Sequence, residues 1–309
     1  MRCFTHPDYV FPLPAEHPFP MDKFWRSAAM LEGSPDITLE QSHPATDEDL
    51  LRVHAPSYLR KIREGNLERN EAVKLGLPAS AALLIRSALE VGGTLQAVTA
   101  ARSDGLAANL AGGTHHAFAD RGLGYCVLND VAIAIRRLHA SEPTLRIFVL
   151  DTDAHQGNGT HGIFAGDDRV FTYSIHVGKN YPAAKTPGSL DVPLPRFVSG
   201  TEYLEQLEST LPEAWADFGA DLCFWIAGAD LHHADRFGQM RLDDEHFAAR
   251  DDFVLQQLVA SRTPTAVLYG GGYNRDRVHT AAIHAATVKR CAASWARHYR
   301  DKPLRPPAR

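Results

Sequence analysis

The sequence predicts an α/β fold, a three-layer αβα sandwich around a mainly parallel sheet, on three observations. Its apolar runs are continuous rather than alternating, as in strands covered on both faces. Those runs alternate with segments of helical character, which implies βαβ units with right-handed crossovers. No repeat, low-complexity tract or linker interrupts the 309 residues, so 1–309 reads as a single domain whose tail, from about residue 298, is peripheral.

Taken in order, residues 80–103 form a helical stretch that contains Gly92-Gly93, and "LAANLAGG" (106–113) reads as a strand. Residues 128–140 form a helix that Asn129 or Asp130 is placed to cap. "LRIFVLD" (145–151) and "RVFTYSIH" (169–176) are strands, followed by a helix over 201–218. "DLCFWIAGAD" (221–230) and "PTAVLYGGG" (264–272) are strands on either side of a helix over 243–261. The Pro-rich residues 11–20 and the glycine-poor 60s read as loops lying over the domain. Gly92-Gly93 sits inside a helical pattern and follows no strand, which excludes a dinucleotide or phosphate loop.

Composition narrows the function. With 44 % hydrophobic residues the chain can bury a large core without staples. The four cysteines, Cys3, Cys126, Cys223 and Cys291, form no CxxC, so neither a disulfide framework nor a thiolate zinc cluster is expected and the cytoplasm is the expected compartment. There is no continuous apolar leader segment and no run of eighteen apolar residues, so no membrane association is expected. A formal charge of −5 argues against nucleic-acid binding and mildly favours cationic small molecules or peptides as partners. Oligomeric state is left open.

In an open α/β sheet, ligands bind beyond the carboxyl ends of the strands. Every strand exit here carries polar or titratable groups: His115 and His116; Asp151, Asp153, His155 and Asn158; Ser174 and His176; Asp230 and Asp235; Tyr273 and Asn274. Convergence of five such exits on one rim is the pattern of a catalytic site. In "DTDAHQGNG", extended geometry puts residues 151, 153 and 155 on one side, so two carboxylates and an imidazole can converge. Such a set suits catalytic Zn²⁺ with a position open for water, and the same groups accept Fe²⁺ or Mn²⁺. An EF-hand fits poorly, because it wants glycine at Gln156 and glutamate at Gly162. The adjacent histidines read as a general acid/base pair or as ordinary histidines, and Tyr273 as an oxyanion donor or a core tyrosine. His232-His233 reads as exposed loop or channel rim.

Together "AGGTHHAF", "GYCVLND", "DTDAHQGNGT", "AGADLHHADRFG" and "LYGGGYN" resemble, in order and spacing, the zinc-dependent histone deacetylase family. With "HPDYVFPLPAEHPFPMDKF" near the start, the resemblance runs to about residue 290 and is nearest to short class IV-type and bacterial deacetylase-like amidohydrolases. It implies the arginase/deacetylase fold with about eight strands. By matched position it implies Asp153, His155 and Asp235 as metal ligands, Asp151 as the carboxylate orienting His115, and Asn158 as the partner of His116 where class I members have Asp. It implies Gly124, Tyr125 and Tyr181 as channel residues, and a structural K⁺ near Asp151, Asp153, the His155 carbonyl and Ser174.

The implied reaction is hydrolysis of an acylated amine, most simply Nε-acyl-lysine in a peptide or protein, or else a small acylated amine. A zinc-activated water attacks, the histidine pair moves protons, Tyr273 stabilises the oxyanion, and Fe²⁺ is the alternative metal in the cell. Three departures stand out: Thr152 replaces an apolar residue, Leu231–Ala234 lacks the usual acidic or glycine-bearing sequence, and no rim carboxylate can be matched, with 63–78 its expected location. Two other readings remain: an arginase-like dinuclear Mn²⁺ ureohydrolase, which would need a DxD-type bridge near Asp235, and a non-catalytic metal-binding relative.

Overall fold

The computed structural model describes residues 1–301 and Leu304; the rest of the expected peripheral tail lies outside the described residues. Among the described residues there are eight strands: β1 (Arg2–Thr5), β2 (Thr38–Gln41), β3 (Leu106–Asn109), β4 (Ile147–Asp151), β5 (Val170–Val177), β6 (Leu190–Leu194), β7 (Leu222–Ile226) and β8 (Thr265–Leu268). They form one sheet in the order β2-β1-β3-β8-β7-β4-β5-β6, and every pairing is parallel. The five apolar runs became the five strands β3, β4, β5, β7 and β8. The three unanticipated strands are short: β2 and β6 are the sheet edges, and β6 carries Pro193, which only an edge tolerates.

The helices are α1 (Lys23–Leu31), α2 (Asp47–Leu51), α3 (Pro56–Glu64), α4 (Arg69–Leu75), α5 (Ala81–Asp104), α6 (Asp130–Ser141), α7 (Asn158–Ile163), α8 (Gly200–Phe218), α9 (Asp244–Ser261) and α10 (Arg277–His298). The 60s, read as loop, are instead largely helical: α3 starts at Pro56 and ends at Gly65 in the left-handed conformation, and α4 ends likewise at Gly76. One layer is α5, packed on β1, β3 and β8 with α6 and α3 beside it; the other runs α1, α10, α9, α8. Gly92 lets α5 approach the 43–45 segment, because a Cβ there would strike the His43 carbonyl. Asn129, not Asp130, caps α6, its side chain accepting from the Ala132 N–H.

The register decides where function can sit. Asn109, Leu268, Ile226, Asp151 and Ser174 are successive cross-strand partners, so β3, β8, β7, β4 and β5 end level with one another. Beneath that rim the sheet is dry, with Phe148, Phe224 and Trp225 fully buried. All four cysteines are buried and unpaired. Among the described residues no helix is long and apolar enough to cross a membrane.

Candidate active site

The loop after β3 is turned by Gly112 and Gly113, both in the left-handed region (φ 79° and 73°). A Cβ on Gly113 would come within 2.9 Å of the Gly270 backbone, so the β3 and β8 loops touch only because this residue is glycine. Asp130 anchors the loop: its carboxylate accepts from the N–H groups of Gly113 (3.0 Å) and Thr114 (2.8 Å) and from the Thr114 and Thr94 hydroxyls. His115 and His116 are thereby presented as buried, adjacent rings with centroids 4.1 Å apart.

Their partners differ. His115 Nδ1–H donates to Asp151 Oδ2 at 2.7 Å, and its Nε2 lies 3.9 Å from Asp153. Burial opposes its charge, but Asp151 and Asp153 and the Asp151 hydrogen bond outweigh that and push its pKa up to about 9. His116 Nδ1–H donates to Asn158 Oδ1 at 2.8 Å. Burial, then the neighbouring His115 and His155, hold it well below the usual imidazole range. The pair therefore combines a charged ring with a neutral one.

After β4 the chain doubles back on its own carboxylates. Asp153 Oδ1 accepts from the His155 N–H at 2.9 Å, and Asp153 Oδ2 accepts from the Gly271 N–H at 2.6 Å. His155 Nδ1 lies 3.1 Å from Asp153 Oδ1 and 2.8 Å from Asp230 Oδ2, while its Nε2–H reaches the Phe237 carbonyl at 3.3 Å. That carbonyl can only accept, so it keeps a proton on Nε2 and directs Nδ1 into the gap between two carboxylates. Against burial, those carboxylates raise the His155 pKa well above the usual imidazole range, so the gap favours positive charge, whether a proton on Nδ1 or a metal ion. Asp153, His155 and Asp230 are buried and offer donor atoms within 4.8 Å of one another, a set whose chemistry fits a divalent transition metal.

Asp235, the expected third donor, follows on the same loop as Asp230. Its Oδ1 accepts from the N–H groups of Phe237 (2.8 Å) and Gly238 (2.9 Å), and its Oδ2 from the Tyr273 N–H (2.6 Å), so it acts as a clasp between the β7 and β8 loops. Asp230, five residues earlier on the same loop, lies 2.8 Å from His155 Nδ1, and Asp235 is itself within the electrostatic reach of His155. Asp151, Asp153, His155 and Ser174 are close neighbours, with Asp151 and Ser174 in register, and the Ser174 hydroxyl lies 3.0 Å from His176 Nδ1. Thr152 bonds the Ile226 carbonyl at 2.9 Å and receives the Trp225 indole N–H at 3.0 Å, tying β4 to β7.

Above this floor opens a cavity of about 300 Å³ lined by His116, His155, Gly124, Tyr125, Tyr181, Phe237 and Tyr273. Gly124, Tyr125 and Tyr181, the expected channel residues, are all among its lining residues. Tyr181 meets His116 edge-on at 5.0 Å, and Tyr273 packs between Tyr125 and Phe237. Burial and the nearby Asp153 hold the Tyr273 phenol protonated, well above its usual pKa. The 63–78 region does reach the rim, through Val73, Lys74, Leu75 and Gly76, but brings no carboxylate. His232 is buried and His233 exposed, and neither lines the cavity.

Sequence reasoning assigned no role to Lys23 or Phe237. Lys23 is buried, donates to the Gly270 carbonyl at 2.9 Å, and is lowered to about 8 by burial, against the pull of Asp230 and Asp153. Lys23 reaches the site from the N-terminal segment, far in sequence from Gly270, whereas Phe237 lies on the site loop two residues after Asp235.

The chain matches the histone deacetylase domain over residues 17–289. It is 38 % identical over 290 residues to an uncharacterized protein of Picosynechococcus sp., covering 93 % of this chain and 96 % of that one. It is 33 % identical over 254 residues to the acetoin utilization protein AcuC of Staphylococcus xylosus, covering 74 % and 66 %. The crystal structure of an HDAC homolog complexed with SAHA superposes with a TM-score of 0.78 at 27 % identity, covering 95 % of this chain and 83 % of that one.

Proposed function

Because the chain belongs to the histone deacetylase domain family, whose members are deacetylase hydrolases, we propose that it is a metal-dependent amidohydrolase removing an acetyl or longer acyl group from an acylated amine, most simply Nε-acyl-lysine. The observation that carries this reading is the floor of the cavity, where a neutral imidazole lies beside a buried cluster of one histidine and two carboxylates. Asp153, His155 and Asp235 would hold the cation, Zn²⁺ or with the same donors Fe²⁺, with Asp230 beside them 2.8 Å from His155. When bound, it supplies Lewis acidity toward the acyl oxygen and the attacking water.

The protein's own groups account for the protons. With Nδ1–H committed to Asn158, His116 Nε2 takes a proton from the water and returns it to the leaving amine. His115, kept charged by Asp151, stabilises the negative charge that develops beside it. Tyr273 retains its proton and donates it in a hydrogen bond to the oxyanion. Tyr125 and Tyr181 flank the aliphatic stem of the substrate, and Gly124 leaves room between them.

A structural K⁺ near Asp151 and Ser174, a single catalytic domain over 1–309 and a cytoplasmic location belong to the same reading; the continuous sheet and the four buried thiols support the last two. One panel tests it: acetyl-, trifluoroacetyl-, octanoyl- and myristoyl-lysine peptides and acetylpolyamines, with bound metal counted and SAHA as inhibitor. One metal per chain and SAHA-sensitive turnover are expected. Two Mn²⁺ would favour the ureohydrolase, and no amide turnover at all the non-catalytic relative.

A further inference from the structure

The rim of the cavity carries charge of one sign. Besides the histidines, its charged lining residues are Lys74, in the last turn of α4, and Arg236, in the loop after β7; no aspartate or glutamate lines it. Both side chains are exposed, and neither has a carboxylate partner among the described residues, whereas Lys61 pairs with Glu71 and Arg121 with Asp120. The chain has 37 acidic against 32 basic residues, so a cationic mouth runs against its overall charge and against the cationic partners that charge suggested.

Both cations are attached to the walls by backbone. The N–H groups of Gly124 and Tyr125 donate to the carbonyls of Lys74 (3.0 Å) and Leu75 (2.8 Å), so the end of α4 and the Tyr125 wall move together. Arg236 lies between Asp235 and Phe237, and the Asp235 carboxylate is bonded to the Phe237, Gly238 and Tyr273 amides. The backbone that carries the two charges is therefore fixed at the entrance, while the side chains themselves reach into solvent.

An acyl-lysine stem passing between Tyr125 and Tyr181 brings its α-carbon to this rim. A mid-chain residue carries neutral amides there; a free or C-terminal one carries a carboxylate. Resting on the acyl-amine reading above, we infer that the rim selects the second kind: the substrate is an acylated amine whose stem ends in a carboxylate, received by Lys74 and Arg236.

The test compares four acetyl-lysine compounds: Nα-acetyl-Nε-acetyl-lysine as free acid, its primary amide, a peptide ending in acetyl-lysine carboxylate, and a peptide with mid-chain acetyl-lysine between two glutamates. Two solvent-exposed ion pairs should favour acid over amide by about fivefold in kcat/KM, carried by KM. That ratio should fade at about 0.5 M salt, invert in Lys74→Glu/Arg236→Glu, and persist in Lys74→Arg/Arg236→Lys. Turnover of the C-terminal peptide as well as the free acid assigns a C-terminal residue; rejection of that peptide assigns a small molecule. Equal rates for acid and amide, a ratio that survives charge reversal, or the glutamate-flanked peptide as the best substrate each overturn the inference. Turnover of none of the four strikes the hydrolase reading itself.

Discussion

The floor and the mouth of the cavity are held by different means. At the floor, main-chain N–H groups grip the carboxylates: His155 and Gly271 hold Asp153, Gly113 and Thr114 hold Asp130, and Phe237, Gly238 and Tyr273 hold Asp235. At the mouth, side chains from separate segments form the walls, with Lys74 and Arg236 exposed and Tyr181 37 % exposed. Backbone clasps on level strand ends set positions to within the tolerance that chemistry needs, whereas side-chain walls can change without disturbing them. The floor should therefore decide whether reaction occurs, and the mouth on what.

The sharpest way to break this division is at the two aspartates. Asp235→Ala should release the bound metal and cost about 10⁴-fold or more in turnover, whereas Asp230→Asn, which changes a carboxylate beside His155, should keep the metal and cost about 10- to 100-fold. Metal content of the purified variants decides; loss of metal in Asp230→Asn with retention in Asp235→Ala would reverse the assignment. Next in size, Tyr273→Phe should lower kcat by about 10² to 10³ with KM little changed, because the phenol acts on a charge that exists only in the transition state. A change confined to KM would make Tyr273 a wall residue like Tyr125.

The same division explains what could be read from sequence. The central strands are covered on both faces, so their apolar runs are continuous and stood out; β2 and β6, half-covered edges of four and five residues, had no such pattern. α10 is 22 residues long yet rich in alanine, threonine and histidine, with no strong apolar stripe to mark it. At the site, strand exits pointed to His115, His116, Asp153, His155 and Tyr273, because parallel strands that end level put their loops on one rim. Spacing alone left both Asp230 and Asp235 as candidates, and the family resemblance pointed to Asp235. The structure adds how each is held: the Ala154 N–H grips Asp230, and the N–H groups of Phe237, Gly238 and Tyr273 grip Asp235. Lys23 was illegible because its partner is the carbonyl of Gly270, 247 residues away.

The floor is also propped from behind, and that prop titrates. His54 is buried with Nε2 accepting the Asn129 N–H at 2.9 Å, and the Asn129 amide in turn donates to the Ala117 carbonyl and Thr160 Oγ1. Burial lowers the His54 pKa to about 4, against about 6.5 in the unfolded chain. Between those values the unfolded chain takes up a proton that the native chain does not. The contribution is therefore intact above about pH 6.5 and is lost as pH falls toward 4, an effect of about 3 kcal/mol. Urea melts at pH 7 and about pH 4.5 should show His54→Gln, which can still accept the N–H but does not titrate, losing less stability than the parent; equal losses would remove His54 as the cause.

The smallest effect discriminates most finely, because it makes floor and mouth compete. Gly124 has φ 53°, and a Cβ there would come within 2.8 Å of both His116 Cδ2 and Tyr181 Cε1. One neighbour must yield in Gly124→Ala. His116 is tethered to Asn158 at 2.8 Å and buried, while Tyr181 stands at the rim with part of its ring in solvent. Tyr181 should move, so KM for an acyl-lysine peptide should rise about fivefold with kcat within a factor of two, alongside about 1 kcal/mol of backbone strain in a melt. A fall in kcat at constant KM would mean that His116 moved instead, and that the floor is softer than its backbone clasps imply.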